Sequence, residues 1–323
     1  MSEPARRALV TGAGGFVGAN LVRRLAAEGH AVTAVVRPGG DRWRLAEPGP
    51  GIEVTELDLT EGRAVKRVVS EARPEWAFHL AARGAYSWQT DAQSIFDTNV
   101  MGTVHVLEAC RAAGCEALVN AGSSSEYGLK DHPADEEEAL EPDSEYAVAK
   151  AAATLLCRHA ARSGPMRVTT LRLYSIYGRW EDPGRLIATL AARGLGGELP
   201  PLADPDVARD FVEVEDALDA FLAAVKPGAS PGPVLNVGSG RQTSVREAVE
   251  VARRCLEIEA QPEWGTMSRR RWDTTTWVAG TERAERELGW RARTTLEEGF
   301  GRMADWLRTT PAVWPVYGVK DPG

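Results

Sequence analysis

The sequence predicts an α/β protein built on a doubly wound parallel sheet. In the first half of its 323 residues, short apolar runs alternate with longer segments of helical periodicity. The apolar runs are nearly continuous, as is typical of parallel strands that helices cover on both faces. The predicted strands span residues 8–12, 31–37, 52–58, 75–82, 116–124 and 167–175, and the helices between them include 15–29, 62–72 and 94–113.

Beyond residue 178 the sequence changes in character. Proline, glycine and aspartate cluster in residues 178–185 and 196–206. The elements predicted after these clusters are shorter, with strands at 210–214 and 234–238 and helices near 215–225 and 244–257. We therefore expect a smaller C-terminal lobe over the edge of the sheet, with residues 210–240 partly returning to the sheet.

Composition narrows the class of protein. A formal net charge of −8 argues against broad binding of nucleic acid, which requires a basic surface. The four cysteines include no C-x-x-C pair and the five histidines include no pair at i,i+4, so no metal site is expected. The N-terminus lacks the apolar core of a signal peptide, and no apolar run approaches the length of a membrane helix. A cytoplasmic protein that does not bind membranes is the expectation.

The segment TGAGGFVG predicts a dinucleotide site. It places Gly12, Gly15 and Gly18, with Phe16 and Val17 among them, where the first strand meets the first helix. Glycines at this junction let backbone N–H groups and the helix N-terminus approach a pyrophosphate. We therefore expect a dinucleotide-binding domain over residues 1–178 and a substrate-binding lobe over residues 179–323.

The end of the second strand bears on the choice between NAD and NADP. An acidic residue there binds the ribose 2′-hydroxyl of NAD, whereas arginine accommodates the 2′-phosphate of NADP. Arg37 occupies this position and Arg42 follows, while Asp41 lies beyond a Pro-Gly-Gly turn. NADP, as NADPH, is favoured. NAD remains the alternative, because Arg37 could instead be a surface charge and Asp41 could fold back onto the ribose.

Tyr146 and Lys150 stand four residues apart in the segment SEYAVAK. On a helix this spacing puts both side chains on one face, one turn from each other. The spacing alone also fits a core tyrosine beside a surface lysine, so the remainder of the chain must decide.

Seven segments, in order, resemble those of the extended short-chain dehydrogenase/reductases, and within them the branch of nucleotide-sugar epimerases, dehydratases and ketoreductases. The segments are TGAGGFVG, HLAA (79–82), TNVMGT (98–103), GSSSEYG (122–128), YAVAK (146–150), LRLYSIYG (171–178) and ARDFVEVEDA (208–217). The resemblance implies a Rossmann-like fold, a nucleotide-diphosphate sugar as substrate and a homodimer.

The resemblance also implies a catalytic set of Ser123, Tyr146 and Lys150. Tyr146 would exchange a proton with a sugar oxygen while hydride passes to or from the nicotinamide. An unperturbed phenol titrates near pH 10, so the charge of Lys150 would favour the phenolate and its ammonium would also hold the nicotinamide ribose. Ser123 would hydrogen-bond the same sugar oxygen, with Ser124 as the alternative.

Further contacts follow from the same resemblance. Cofactor contacts would come from residues around the adenine, the phosphates, the ribose and the nicotinamide: Asp58, Leu59, Leu80, Ala81, Ala82, Asn99 and Tyr174. Asn99 could equally be a buried polar cap. Substrate contacts would come from Ser124, Ser125, Ser175, Arg185, Leu186, Arg209 and Arg270, the last two gripping the diphosphate. Ser175 departs from the asparagine common in the family at that point.

Three reactions share this scaffold. A 4,6-dehydratase would carry Asp-Glu directly after the catalytic serine, where this chain has Ser124 and Ser125, with Glu126 one position too late. A 4-epimerase normally retains NAD, which Arg37 disfavours. The favoured function is an NADPH-dependent 4-ketoreductase of an NDP-4-keto-6-deoxyhexose. The 4-epimerase is the alternative, and a non-catalytic cofactor-binding protein ranks last because the catalytic set is complete.

Overall fold

The computed structural model describes residues 4–86, 88–226, 232–267 and 273–319. The strands in chain order are β1 (Arg7–Thr11), β2 (Ala31–Val36), β3 (Ile52–Glu56), β4 (Trp76–His79), β5 (Ala117–Ser123), β6 (Arg167–Leu173), β7 (Ser175–Tyr177), β8 (Ala208–Glu213), β9 (Val234–Val237) and β10 (Gln242–Ser244).

The helices pack around these strands. They are α1 (Phe16–Ala27), α2 (Gly62–Ala72), α3 (Ala92–Phe96), α4 (Gly102–Ala112), α5 (Glu145–Arg162), α6 (Leu186–Gly194), α7 (Val214–Ala224), α8 (Val245–Leu256), α9 (Glu282–Leu288), α10 (Leu296–Thr309) and α11 (Trp314–Tyr317). None of the helices within the described residues is both long and apolar enough to cross a membrane.

Seven strands form one parallel sheet in the order β3-β2-β1-β4-β5-β6-β9. Helices α1, α7 and α9 cover one face, and α2, α4 and α5 cover the other. Within β1, Ala8 and Val10 face the first layer whereas Leu9 faces the second, which explains why the strand is continuously apolar. The predicted doubly wound, Rossmann-like sheet is confirmed.

The direction in which successive strands are added reverses between β1 and β4, which are neighbours in the sheet. From β1 the chain continues outward through β2 and β3, and from β4 it continues the other way through β5 and β6. In open parallel sheets the crevice beyond the carboxyl ends of the strands at this reversal is the usual ligand site. Thr11, His79 and Ser123 end β1, β4 and β5 at this crevice.

A smaller sheet in the order β10-β8-β7 lies beside the large one. Its apolar layer joins α6, α8 and α10, with Ile187, Val249 and Phe300 fully or nearly buried. The segment 210–240 contributes to both sheets, since β8 belongs to the small sheet and β9 is the edge strand beside β6. The division at residue 178 stays a prediction.

Two predicted elements differ in the structure. The strand predicted at 167–175 is divided, because β6 ends at Leu173 and β7 then pairs with β8 in the small sheet. The helix predicted near 94–113 contains a π-helical turn, Asp97–Met101, between α3 and α4. Such a turn holds one residue more than an α-helical turn and often occurs at functional sites.

Candidate functional site

The glycine turn between β1 and α1 leaves no room for side chains at two positions. Gly12 has φ of +69°, and a Cβ there would lie 2.6 Å from the Ala81 backbone nitrogen. A Cβ on Gly18 would lie 2.3 Å from the Gly12 carbonyl oxygen. Gly15 is the N-cap of α1, and Phe16 begins the helix. The first N–H groups of a helix lack intrahelical acceptors, so this turn presents donors that suit a pyrophosphate.

Two arginines and two carboxylates lie around the loop after β2, where the sequence predicts the adenosine ribose. Arg37 follows β2 directly and is exposed. Asp41 Oδ1 accepts a hydrogen bond from the Trp43 backbone nitrogen at 3.0 Å, and the Arg42 guanidinium pairs with Glu56 at the end of β3. One oxygen of the Asp41 carboxylate therefore accepts from the first backbone amide of the short helical turn that begins at Trp43.

The predicted adenine contacts lie after β3. Asp58 Oδ1 accepts hydrogen bonds from the Thr60 backbone nitrogen at 2.9 Å and from the Thr60 hydroxyl at 2.8 Å. Leu59 is buried, and its carbonyl oxygen lies 2.8 Å from His105 Nδ1. Asp58 thus shapes the turn, and the Leu59 side chain packs with α2 and α4 in the core.

A chain of buried hydrogen bonds crosses the crevice floor at the ends of β1 and β4. The Thr103 hydroxyl donates to the Asn99 carbonyl at 2.6 Å, so its oxygen accepts from His79 Nε2 at 3.0 Å. His79 Nδ1 must then accept from the Thr11 hydroxyl, at 2.7 Å. Burial lowers the pKa of His79 to about 3, so the imidazole is neutral.

Asn99 lies in the π-helical turn and positions the loop after β4. Its side-chain oxygen accepts from the Arg83 backbone nitrogen at 2.8 Å, and its amide donates to the Arg83 carbonyl at 2.7 Å. The oxygen and the nitrogen of the Asn99 side chain are therefore both hydrogen-bonded to the backbone of Arg83. The segment Leu80–Ala82, predicted to contact the cofactor, runs from β4 to this anchor, past Gly12.

Ser123, Tyr146 and Lys150 come together where β5 meets α5. Ser144 begins α5 as its N-cap, with its hydroxyl accepting from the Ala147 backbone nitrogen at 3.3 Å. The Ser123 side chain lies within hydrogen-bonding reach of the Tyr146 hydroxyl. The Lys150 ammonium, one turn further along α5, is 4% exposed and donates to the carbonyl oxygen of Ala121.

The protein environment shifts the pKa values of Tyr146 and Lys150. Burial raises the pKa of the Tyr146 phenol, while the hydrogen bond to Ser123 lowers it. Burial lowers the pKa of the Lys150 ammonium, and the carboxylate of Glu126 opposes that shift. The arrangement can deliver a proton from a phenol to an oxygen placed against Ser123.

The two serines after Ser123 form a short 3-10 turn. Ser123 Oγ lies 2.7 Å from Ser125 Oγ, and it accepts from the Ser125 backbone nitrogen at 3.2 Å. Ser124 is buried. Of the two alternatives left open by the sequence, Ser123 is the one that reaches Tyr146.

Two residues near the Tyr146 phenol come from the loop after β4 and the start of α6. Arg185 is the N-cap of α6, and its guanidinium carbon lies 5.9 Å from the centre of the Tyr86 ring. Tyr86 stacks on Trp88 with ring centres 4.5 Å apart, and Trp88 is 70% exposed. Both Arg185 and Tyr86 act electrostatically on Tyr146. The sequence had not indicated Tyr86 or Trp88, although their position after β4 was a usable signal.

Three other residues predicted to contact the cofactor or the substrate are Tyr174, Ser175 and Leu186. Tyr174 is buried where the chain passes from β6 to β7, and burial raises the pKa of its phenol. Ser175 pairs with Phe211 in the small sheet, and Leu186 packs half-buried in the apolar layer of the lobe. The contacts of these three residues lie in the core and in the small sheet, and their roles toward a ligand stay predictions.

Arg209 is already engaged within the protein. It donates through Nη1 to the Ala208 carbonyl at 2.6 Å and through Nη2 to Asp273 Oδ1 at 3.2 Å. Its guanidinium also lies 5.8 Å from the Trp277 ring centre. The second predicted grip, Arg270, lies outside the described residues.

Arg44 is a buried arginine beside the glycine turn that the sequence did not single out. Its Nε donates to the Trp180 carbonyl at 2.7 Å, and its Nη1 lies 3.5 Å from the Gly14 carbonyl. The guanidinium stacks 4.4 Å from the Trp43 ring centre. Arg44 therefore connects the glycine turn to the loop between β7 and α6.

Comparison with known proteins gives one family. The model of the NAD dependent epimerase/dehydratase family matches residues 8–238. UDP-glucose 4-epimerase from Mycolicibacterium smegmatis is 31% identical over 317 residues, covering 94% of this chain and 98% of that protein. dTDP-6-deoxy-L-talose 4-dehydrogenase (NAD(P)(+)) from Kitasatospora kifunensis is 31% identical over 326 residues, covering 96% and 98%. The structure of MoeE5 with UDP-glucuronic acid and NAD has a TM-score of 0.81 at 32% identity, covering 94% and 99%.

Proposed function

This chain belongs to the NAD-dependent epimerase/dehydratase family, and from that premise we propose that it is an NADPH-dependent 4-ketoreductase of an NDP-4-keto-6-deoxyhexose. The observation that carries the cofactor preference is the exposed Arg37 at the end of β2, together with the use of the Asp41 carboxylate by the Trp43 amide. A guanidinium at this position suits a 2′-phosphate, whereas NAD enzymes use a carboxylate there. The similarity to a dTDP-6-deoxy-L-talose 4-dehydrogenase supports the same chemistry at carbon 4.

The residues around the glycine turn fit a dinucleotide. Gly12 and Gly18 have no space for a Cβ, so the backbone can approach a pyrophosphate closely, and the first N–H groups of α1 would bind it. Arg37 and Arg42 would meet the 2′-phosphate, and Asp58 with Leu59 would border the adenine. When bound, the reduced nicotinamide supplies the hydride for carbon 4.

The proton comes from this chain. Tyr146 donates its phenolic proton to the oxygen on carbon 4, and Ser123 holds that oxygen beside the phenol. Lys150 stabilises the phenolate that results and binds the nicotinamide ribose. The neutral His79 and the Asn99–Arg83 contact keep the crevice floor fixed during the reaction.

The nucleotide-diphosphate sugar would lie between the two sheets. Arg209 and Arg270 would bind the diphosphate, since guanidinium groups match phosphate oxygens in pairs. Arg185 and Leu186 would border the sugar from the start of α6. We also propose that the protein is a homodimer. We propose that the chain divides near residue 178 into a cofactor-binding part and a substrate-binding part.

An NAD-dependent 4-epimerase is the second candidate. The UDP-glucose 4-epimerase of M. smegmatis is as similar as the dehydrogenase, and the MoeE5 structure contains NAD. A dehydratase is disfavoured, because Ser124 and Ser125 stand where a dehydratase has Asp-Glu, and the Glu126 carboxylate is engaged by Arg172, Thr154 and the Ser123 backbone.

Turnover separates the two candidates. Purified protein is incubated with dTDP-4-keto-6-deoxyglucose and NADPH, and with UDP-glucose and NAD. A reductase consumes one equivalent of NADPH for each sugar converted. An epimerase forms UDP-galactose with no net change in the cofactor, and that result, with no NADPH consumption on the keto sugar, would overturn the ketoreductase. Tyr146→Phe serves as the inactive control for both assays.

A further inference from the structure

A fully buried carboxylate lies directly beneath Ser123. Glu126 is 0% exposed, and its Oε1 accepts a hydrogen bond from the Ser123 backbone nitrogen at 2.8 Å. Its Oε2 accepts from the Thr154 hydroxyl at 2.9 Å and from Arg172 Nε at 2.9 Å. One carboxylate therefore contacts β5, α5 and β6 together.

The surroundings of this carboxylate hold it in one position. A Cβ on Gly122 would lie 2.8 Å from Glu126 Oε1 and 3.2 Å from Arg172 Cγ, so glycine is required for the ion pair to fit. Arg172 is 2% exposed, and its guanidinium lies 4.5 Å from the centre of the Tyr127 ring. The Tyr127 hydroxyl donates to Asn236 Oδ1 at 2.7 Å. The Glu126–Arg172 ion pair is therefore packed between Gly122 and the Tyr127 ring.

Thr154 extends the face of α5 that carries the proposed catalytic residues. Tyr146, Lys150 and Thr154 follow one another at intervals of four residues, so they lie along one stripe of the helix. Because Glu126 binds both the Thr154 hydroxyl and the Ser123 amide, it ties this stripe to the end of β5.

We propose that Glu126 is a positioning residue, which fixes Ser123 against the Tyr146–Lys150 face of α5 and places a negative charge beneath these two side chains. This inference rests on the proposed function of Ser123, Tyr146 and Lys150. Glu126 does not contact the phenol, so it acts through Ser123 and through its charge.

The charge of Glu126 raises the pKa values of both Lys150 and Tyr146. Burial lowers the pKa of Lys150, and the Glu126 carboxylate raises it, which favours the ammonium form. Burial and the same carboxylate both raise the pKa of Tyr146, although Ser123 lowers it. Among the described residues, further titratable or charged groups face Tyr146, Lys150 or Glu126: His79 on β4, Tyr86 after β4, Cys157 on α5, Arg172 on β6 and Arg185 at the start of α6. Tyr127 in the 3-10 turn lies against Arg172.

The test is the pH dependence of Glu126→Gln. Reduction needs a protonated phenol, so its rate falls as pH rises through the pKa of Tyr146. Removing the carboxylate lowers that pKa and that of Lys150, and the falling limb of the kcat profile should move to lower pH. Loss of a charge-assisted hydrogen bond should also reduce kcat by about tenfold or more. If Glu126→Gln is folded and active and its kcat falls over the same pH range as that of the wild type, the proposal is overturned.

Two further variants separate position from charge. Thr154→Val removes the tie to α5 and leaves the charge, so kcat should fall with the limb unmoved. Glu136→Gln is the matched control: Glu136 is 5% exposed and accepts from the Asn236 backbone nitrogen at 2.8 Å, and it contacts neither Ser123 nor α5. Its limb should coincide with that of the wild type. A shift of equal size in Glu136→Gln would contradict a specific role of Glu126.

Two outcomes need a separate experiment: a Glu126→Gln variant that does not fold, and a protein that turns over no nucleotide sugar. If Glu126→Gln does not fold because Arg172 is left unpaired, Glu126→Gln combined with Arg172→Gln restores a neutral hydrogen-bonded pair, and the limb should still move to lower pH. If no nucleotide sugar is turned over, the proposed function has failed. The phenolate of Tyr146 can then be titrated by ultraviolet absorbance as the difference from Tyr146→Phe. A lower phenol pKa in the Glu126→Gln variant supports the inference, and an unchanged one overturns it.

Discussion

The Lys150 ammonium donates a hydrogen bond to the carbonyl oxygen of Ala121, two residues before Ser123 on β5. This bond ties the middle of α5 to the strand that carries the serine. An ammonium group has three donors, so Lys150 can hold Ala121 and still donate to a ribose hydroxyl. The strand thus fixes the position of the charge beside Tyr146.

Lys150→Met should impair both turnover and cofactor binding. Methionine is of similar length and keeps the buried contacts of the aliphatic stem, but it removes the charge and the donors. We expect kcat to fall by at least about a hundredfold, as for loss of assistance to a general acid, and Kd for NADPH to rise. Stopped turnover with unchanged NADPH affinity by isothermal titration would show that Lys150 does not contact the ribose.

Tyr146→Phe should abolish turnover and leave cofactor affinity nearly unchanged. The substitution removes the transferable proton and the hydrogen bond to Ser123, and it retains the ring. Steady-state kinetics and NADPH titration on the same preparation check both halves of the prediction. Wild-type activity in this variant would remove Tyr146 from the mechanism. Tyr127→Phe, a buried phenol that donates to Asn236, is a control for general effects of losing a hydroxyl.

Local patterns in the sequence were sufficient for part of this site. Gly12 and Gly18 are needed where β1 turns into α1, and the four-residue spacing of Tyr146 and Lys150 defines one helix face. Ser123, with Ser124 as the alternative, followed from the resemblance to the short-chain dehydrogenase/reductases. The glycine turn and the helix face depend on residues close together in the chain, where local spacing is informative.

The remainder of the site depends on contacts between distant segments. Glu126 and Arg172 are 46 residues apart and meet because β5 and β6 are neighbours in the sheet. Arg44 reaches Trp180 across 136 residues. Periodicity predicts which face of an element is buried and leaves open which side chain it meets, so Glu126 was interpreted only as an acid one position out of register.

Arg209→Ala should weaken binding of the nucleotide sugar without affecting NADPH. A charge-assisted phosphate contact contributes about 1.5–3 kcal/mol, which corresponds to a loss of affinity of roughly tenfold or more. Arg209 is bound to Asp273 in the protein, so the sugar diphosphate must compete with that carboxylate. Asp273→Asn is the matched variant, and it should tighten binding. Titration with UDP that shows equal affinity for Arg209→Ala and wild type would contradict the role.

Arg37→Asp should erase or invert the cofactor preference. A guanidinium can form a charge-assisted contact with the 2′-phosphate that NADH cannot provide, so the wild type should prefer NADPH by about tenfold to a hundredfold. Aspartate repels the phosphate and accepts from a free 2′-hydroxyl. Isothermal titration with both reduced cofactors measures the preference. Equal affinities in the wild type, or tighter NADH, would move the epimerase to first place. Asp41→Asn should change little, because Asp41 caps the turn at Trp43.

Glu181 should make stability depend on pH. It is 5% exposed, and its Oε2 has no hydrogen-bond partner among the residues that the structure describes. Burial raises the pKa of its carboxyl from 4.5 to about 8, although the charge of Arg185 lowers it. The folded state therefore keeps a proton that the unfolded chain releases above pH 4.5. The stability is fully present below that pH and is lost as pH rises through about 8, with a slope of up to about 1.4 kcal/mol per pH unit.

Glu181→Gln removes this titration and keeps the shape of the side chain. Glu213 and His79 also titrate with shifted pKa values, but they are present in both proteins and cancel in the comparison. The free energy of unfolding of Glu181→Gln, measured in urea from pH 5 to pH 9, should therefore gain on that of the wild type as pH rises. Glu71→Gln, an exposed position on α2, should run parallel to the wild type. If Glu181→Gln also runs parallel, Glu181 ionises in the folded protein at the same pH as in the unfolded chain, and its carboxyl is solvated.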